Sequence, residues 1–135
     1  CLEVYQNTGE KISSFYNKEK ITRDFKIIKI GISTEREVLY NRINQRVDQM
    51  IKNGLVDEAK ELFQYQKYNA LNTVGYKELF DFFDNKTDIE TAVEEIKKNS
   101  RRLAKRQMTW FKRDKQINWF NIDHKDNIVN SILEL

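Results

Sequence analysis

The chain has 135 residues, room for one domain or part of a larger one, and its 39% apolar content is enough for a core. A charged fraction of 33%, with no apolar run of about 18 residues, excludes a membrane-spanning helix and leaves well-solvated helices as the expectation. The net charge is only +3, yet residues 97–115 hold nine basic side chains against one acid, so the remainder is net acidic. Such an asymmetry points to a polyanionic partner.

In chain order, residues 1–6 read as the last turns of a helix, with Asn7-Thr8-Gly9 as its stop. Residues 12–16 form a short amphipathic piece, and 17–24 a polar surface loop. Residues 25–32 (FKIIKIGI) are the best strand. They are short, β-branched and apolar on both faces apart from Lys26 and Lys29, as in a parallel sheet covered on both sides. A lone strand is unstable, so its partner is expected to be residues 117–122 or a strand outside this chain. Thr34 and Glu37 have capping-box spacing and should open a helix that buries Leu39, Ile43, Val47, Met50 and Ile51. Gly54 should end it. A second helix over 55–65 buries Val56, Ala59, Leu62 and Phe63 and makes a helical hairpin.

After a loop over 68–73 comes Val74-Gly75-Tyr76-Lys77, then a helix to about Phe83. Gly75 is by the simplest reading a turn glycine. The other reading makes it a backbone approach point, with Lys77 aimed at an anion near a helix N-terminus. Thr87 and Glu90 repeat the capping-box spacing and launch a long helix over 88–113. At about 100° per residue, Ile89, Ala92, Val93, Ile96, Leu103, Ala104, Trp110 and Phe111 fall on one side of it. Lys97, Lys98, Arg101, Arg102, Lys105, Arg106, Lys112 and Arg113 fall on the other. The first side can enter a core while the second shows a basic ridge. Ser100 and Gln107 interrupt the apolar arc, where a buried amide needs partners. By composition the ridge is equally a solvated face opposing the helix macrodipole, or a surface for a membrane or an acidic protein. Residues 118–121 are a short strand candidate and 127–135 a closing amphipathic helix.

The four glycines are scattered, so no Gly-rich phosphate cradle is present. His124 is the only histidine and Cys1 the only cysteine. They offer no metal-ligand cluster, no nucleophile–base pair and no internal disulfide, and the cysteine usage fits a reducing compartment. The chain starts at Cys1 with no signal-peptide pattern, as expected of a segment of a longer protein.

Three strings go further. They are LYNRINQRVDQM at 39–50 followed by Gly54-Leu55, VGYKEL at 74–79, and RRLAKRQMTWFK at 101–112. In this order and spacing they resemble the C-terminal half of the tRNA dimethylallyltransferase (tRNA isopentenyltransferase) family. Leu2-Glu3-Val4-Tyr5 with Thr8-Gly9, and Trp119-Phe120-Asn121, extend the match over residues 2–122. Ser100, Met108 and Lys112 depart from the family's commoner residues but conserve size or charge.

The resemblance implies the mainly helical C-terminal part of a P-loop NTPase-like α/β fold, with one or two short strands of a parallel sheet. Residues 1–24 would close a helical insertion and its linker, and 25–135 would complete the catalytic α/β domain. It implies transfer of a dimethylallyl group from dimethylallyl diphosphate to N6 of adenosine 37, beside the anticodon of tRNAs reading codons that begin with U. Mg²⁺ would assist departure of the diphosphate, held mainly by the N-terminal half. The P-loop and the proposed aspartate base also belong to that half. No catalytic residue is therefore expected in this chain, which should be inactive alone. Lys77 would bind diphosphate. Gly75, Tyr76, Lys77, Arg101, Lys105, Arg106, Gln107, Thr109, Trp110 and Lys112 would bind the tRNA anticodon stem-loop. A cytoplasmic monomer as the whole enzyme, with no membrane and no obligate protein partner, completes the expectation. The alternatives are a non-catalytic helical nucleic-acid-binding module and a segment whose basic face meets an acidic protein.

Overall fold

The computed structural model describes residues 2–16 and 24–122. The expected closing helix and His124 lie outside these residues, as does most of the polar loop after Tyr16. In chain order the elements are α1 (Leu2–Thr8), β1 (Lys29–Ser33), α2 (Arg36–Lys52), α3 (Leu55–Leu62), α4 (Tyr76–Phe83), α5 (Ile89–Phe111) and β2 (Ile117–Asn121). Short 3-10 turns occupy Ile12–Phe15, Phe63–Tyr65 and Asn69–Leu71. No described helix is long and apolar enough to cross a membrane.

The two strands pair in parallel, from Lys29 opposite Ile117 to Ser33 opposite Asn121. A parallel pair needs a crossover connection, and α2 through α5 supply it. The strand is shorter than its apolar run. Phe25 and Ile27 are exposed, and pairing begins only at Lys29. β-propensity alone does not make a strand, because the ladder lasts only as long as its partner, and β2 has five residues. Gly31 lies opposite Trp119. A Cβ there would stand 2.6 Å from Trp119 Cε3 and 2.8 Å from Ile117 Cγ2. Glycine is what allows the indole to lie across β1.

The core is helical. Val47 from α2, Leu55 and Ala59 from α3, Leu79 and Phe80 from α4, and Ile96 from α5 form one buried cluster. Burying each large apolar side chain contributes about 1.5–3 kcal/mol. Phe63 meets Phe80 and Phe83 edge-on, at centroid distances of 5.6 and 5.5 Å. Gly54, at φ +98°, turns the chain from α2 into α3 as its position suggested.

Both expected capping boxes are displaced by one residue. α2 starts at Arg36, so Glu35 takes the cap position and makes no side-chain cap bond. Thr34 Oγ1 is left buried without a partner. At α5 the cap is Asp88, not Thr87, and its carboxylate accepts from the Thr91 N–H at 2.7 Å and the Thr91 hydroxyl at 3.0 Å. The spacing located each helix start, but the cap is whichever residue immediately precedes the first helical one.

The expected apolar face of α5 is buried only along its first half. Ala92 and Ile96 are 1% exposed, whereas Leu103, Trp110 and Phe111 are 41%, 66% and 44% exposed. Gln107 is exposed as well, so its amide needs no buried partner. A helix of 23 residues is about 34 Å long at ~1.5 Å per residue, and the helices packed beside it reach only its first part.

Replacing Gly31 with Ala should lower stability by roughly 1–3 kcal/mol, because the strand or the indole must shift. Thermal unfolding of the variant checks this. An unchanged melting temperature would show that Trp119 gives way freely.

Candidate nucleic-acid interface

The basic residues of α5 divide into two groups. Near the core they are engaged. Lys97 pairs with Asp48 of α2 at 2.8 Å and with Glu94 at 2.9 Å, and its side chain is only 15% exposed. Lys98 pairs with Glu95 at 2.6 Å. Arg101 Nη1 donates to Asn44 Oδ1 of α2 at 2.6 Å. The carboxylate of Asp48, followed by that of Glu94, raises the pKa of Lys97. These contacts fasten α5 to α2.

Toward the end of the helix the pattern changes. Among the described residues, Lys105, Arg106, Lys112 and Arg113 have no acidic side chain at ion-pair distance. Arg102, Lys105, Arg106, Thr109, Trp110 and Arg113 line an open groove of about 500 Å³. The Trp110 ring stands edge-on to Phe111 at 4.9 Å between centroids, and is otherwise largely open to solvent. The Thr109 hydroxyl donates to the Lys105 carbonyl at 2.9 Å. A wall of cations with an accessible aromatic ring can take phosphates and a stacked base.

Of the sequence-derived set, Lys105, Arg106, Thr109 and Trp110 therefore come together along one groove. Arg101 faces α2 instead. Lys112 caps the helix as an exposed cation outside the groove lining. Gln107 belongs to the exposed apolar side, with Leu103 and Phe111. Gly75, Tyr76 and Lys77 form a separate group at the start of α4. Gly75 caps that helix at φ +109°, ψ −64°, with nothing within 4 Å of where a Cβ would sit. Its backbone angles, rather than a close neighbour, require glycine. Tyr76 stacks on Phe80, and its hydroxyl donates to the Glu58 carboxylate, which raises the tyrosine pKa. Lys77 is exposed and without an ion-pair partner among the described residues.

Two polar residues absent from the sequence-derived set matter here. Glu78 is the buried charged residue of the described core, at 8% exposure. One carboxylate oxygen accepts from the Gly75 N–H at 2.8 Å and the other from Asn99 Nδ2 at 2.7 Å. Asn99 Oδ1 in turn faces Arg102 Nη1 at 3.3 Å. The spacing of Gly75 and Glu78 is that of a capping box, but a glycine has no side chain to advertise the cap. Nothing in sequence pairs Glu78 with Asn99, 21 residues away.

A helical cluster joined to a parallel strand pair, with a cationic groove along the exposed half of one helix, makes this an α/β segment with a face suited to polyanions. The sequence profile of the IPP transferase family matches residues 1–114. The chain belongs to that family. It is 56% identical over 134 residues to the tRNA dimethylallyltransferase of Christiangramia forsetii, covering 99% of this chain and 44% of that protein. The enzyme of the same name from Flavobacterium psychrophilum is 55% identical over 89% of this chain and 39% of its own length. Among solved structures, the tRNA delta(2)-isopentenylpyrophosphate transferase of Staphylococcus epidermidis superposes with a TM-score of 0.74 at 35% identity, over 98% of this chain and 46% of that one. The full-length tRNA isopentenylpyrophosphate transferase of Bacillus halodurans gives 0.72 at 40% identity, over 79% and 38%. The chain spans less than half the length of the curated relatives it matches.

Past α5 the chain is anchored at Asp114, whose carboxylate pairs with Lys29 of β1 at 2.7 Å and accepts from the Gln116 N–H at 2.9 Å. The Lys29 ammonium, then the Gln116 amide, lowers the Asp114 pKa below its ordinary 3.8. A carboxyl whose folded pKa is lowered contributes stability above its unfolded pKa and loses it as pH falls through the folded value. Acid should therefore loosen the junction of α5 with the sheet. The melting temperature should drop between about pH 5 and pH 2, and Asp114→Asn should flatten part of that drop. Parallel acid profiles for the two proteins would show that this pair adds nothing to stability.

Proposed function

We propose that this chain is the tRNA-gripping part of a tRNA dimethylallyltransferase. In this reading residues 1–24 close a helical insertion and its linker, and 25–135 complete the catalytic α/β domain of a P-loop-like enzyme. The observation that carries the reading is the division of charge along α5. The cations near the core are paired, while Lys105 and Arg106, beside Thr109 and Trp110, meet no acid among the described residues, in a chain of the IPP transferase family.

The chemistry assigned to the whole enzyme is transfer of a dimethylallyl group from dimethylallyl diphosphate to N6 of adenosine 37, with loss of diphosphate. A stacked adenine must leave its loop to react, at a cost of a few kcal/mol. Phosphate contacts on both sides of the base would offset that cost, and Lys105, Arg106 and Lys112 would make them. Trp110 offers a ring for a base of the anticodon loop to stack on. Lys77 would meet the diphosphate and stabilise the charge that grows on it as the carbon–oxygen bond breaks. Mg²⁺, when bound to the whole enzyme, would neutralise the same leaving group. Its ligands are assigned mainly to the N-terminal half of the enzyme, beyond the residues of this chain. A cytoplasmic monomer acting on the tRNA anticodon stem-loop is the setting this reading assumes.

Binding of tRNA should weaken steeply with salt. The slope of log affinity against log salt should be near −0.7 per single-stranded phosphate contact. Replacing Lys105, Arg106 or Lys112 with Ala should reduce the slope magnitude by about that amount, for cognate and non-cognate tRNA alike. Lys98→Ala should matter less, since Lys98 is already paired with Glu95. Unchanged slopes throughout would leave the ridge as a solvated helix face.

In the full-length enzyme, Lys77→Ala should cost roughly 2–4 kcal/mol of transition-state stabilisation, read as a loss of kcat/KM for dimethylallyl diphosphate with tRNA affinity retained. Weakened tRNA binding with normal use of the prenyl donor would move Lys77 to the RNA side.

A further inference from the structure

We infer that Glu78 is a positioning residue which, through Asn99, holds the Lys77 turn in fixed register with the basic groove of α5. The inference rests on the assignment of Lys77 to the diphosphate.

A buried carboxylate is costly unless donors surround it, and packing alone would be served by an apolar side chain. Glu78 faces two donors from different elements, the Gly75 N–H and the Asn99 amide. Each bond removes a separate freedom. Gly75 adopts backbone angles open chiefly to glycine, and such a residue is a flexible joint unless its amide is pinned. Pinning it sets the direction in which Tyr76 and Lys77 leave the turn. The Asn99 bond then fixes that turn to α5 itself, one helical turn before Leu103. Asn99 Oδ1 continues the connection to Arg102, which lines the groove with Lys105 and Arg106. A chain of side-chain bonds therefore runs from the turn bearing the donor-site cation to the groove bearing the tRNA-site cations. An enzyme that joins a diphosphate ester to an RNA base needs those two groups at a set spacing, because misplacement by about 1 Å can cost ~10²-fold in rate.

The test uses the full-length enzyme with Glu78→Ala, Glu78→Gln and Asn99→Ala, and with Lys77→Ala as reference. Melting temperature, kcat and kcat/KM for dimethylallyl diphosphate, and the salt slope of tRNA binding are measured for each. Glu78→Ala and Asn99→Ala should lower the donor kcat/KM by about tenfold, well inside the range that misplacement produces, and leave the salt slope intact. Glu78→Gln should retain the donor kcat/KM, since its amide oxygen can take the Gly75 N–H while its NH₂ meets a reoriented Asn99 Oδ1. A lowered melting temperature with an unchanged donor kcat/KM in Glu78→Ala would make Glu78 a helix cap only and overturn the inference. Should Glu78→Ala not fold, Asn99→Ala leaves the Gly75 bond in place and decides the question by the same kcat/KM. If Lys77→Ala itself leaves the donor kcat/KM unchanged, the diphosphate assignment fails and the inference falls with it. If Lys77→Ala lowers it and the Glu78 and Asn99 variants do not, the inference alone fails.

Discussion

The burial of Ile96 against Leu79 and the rest of the helical cluster is the contact on which the other features depend. Both side chains are essentially sealed from solvent, and both sit where their helices cross the middle of the core. Polar clamps flank this apolar contact. Lys97 with Asp48 and Arg101 with Asn44 tie α5 to α2, and Asn99 with Glu78 ties it to α4. Those bonds form because the apolar contact has already brought the helices together. None of them would hold two helices in water alone, since exposed pairs contribute about 0–1 kcal/mol.

A second consequence is the asymmetry of α5. Its first half is part of the core, and its second half stands free with Leu103, Trp110 and Phe111 exposed. One continuous helix thus carries an anchored end and a presented end. Cations at the anchored end meet acids or amides of the fold. Those at the presented end meet none among the described residues, and their charge remains available to a partner. The same helix geometry that stabilises the chain therefore also sorts its basic residues by role.

The sheet holds the chain where it leaves the presented end of α5. Asp114 returns the chain to Lys29, and β2 then runs beside β1 with Trp119 laid over Gly31. That close approach sets the register. A slip by one residue would place the indole against a side chain instead of a glycine.

Much of the architecture follows from local chemistry and was legible in the sequence. The helical periods after Thr34, over 55–65 and over 88–113, the Gly54 turn, the strand character of 25–32 and the basic ridge are patterns between near neighbours or simple charge counts. The order of the motifs identified the family. What local chemistry could not decide was which part of each pattern finds a partner. Phe25 and Ile27 have strand character but precede the strand, which starts at Lys29, and Thr34 has a capping hydroxyl but stands one position too early. Leu103, Trp110 and Phe111 share the apolar arc with Ile96, yet no helix among the described residues covers them. Nothing in its local sequence marks Glu78 as buried, and only the packing of α4 on α5 makes it a buried bridge to Asn99. Periodicity fixes which side chains share a face, whereas burial depends on whether another element lies opposite that face, and that is decided by contacts between residues far apart in the chain.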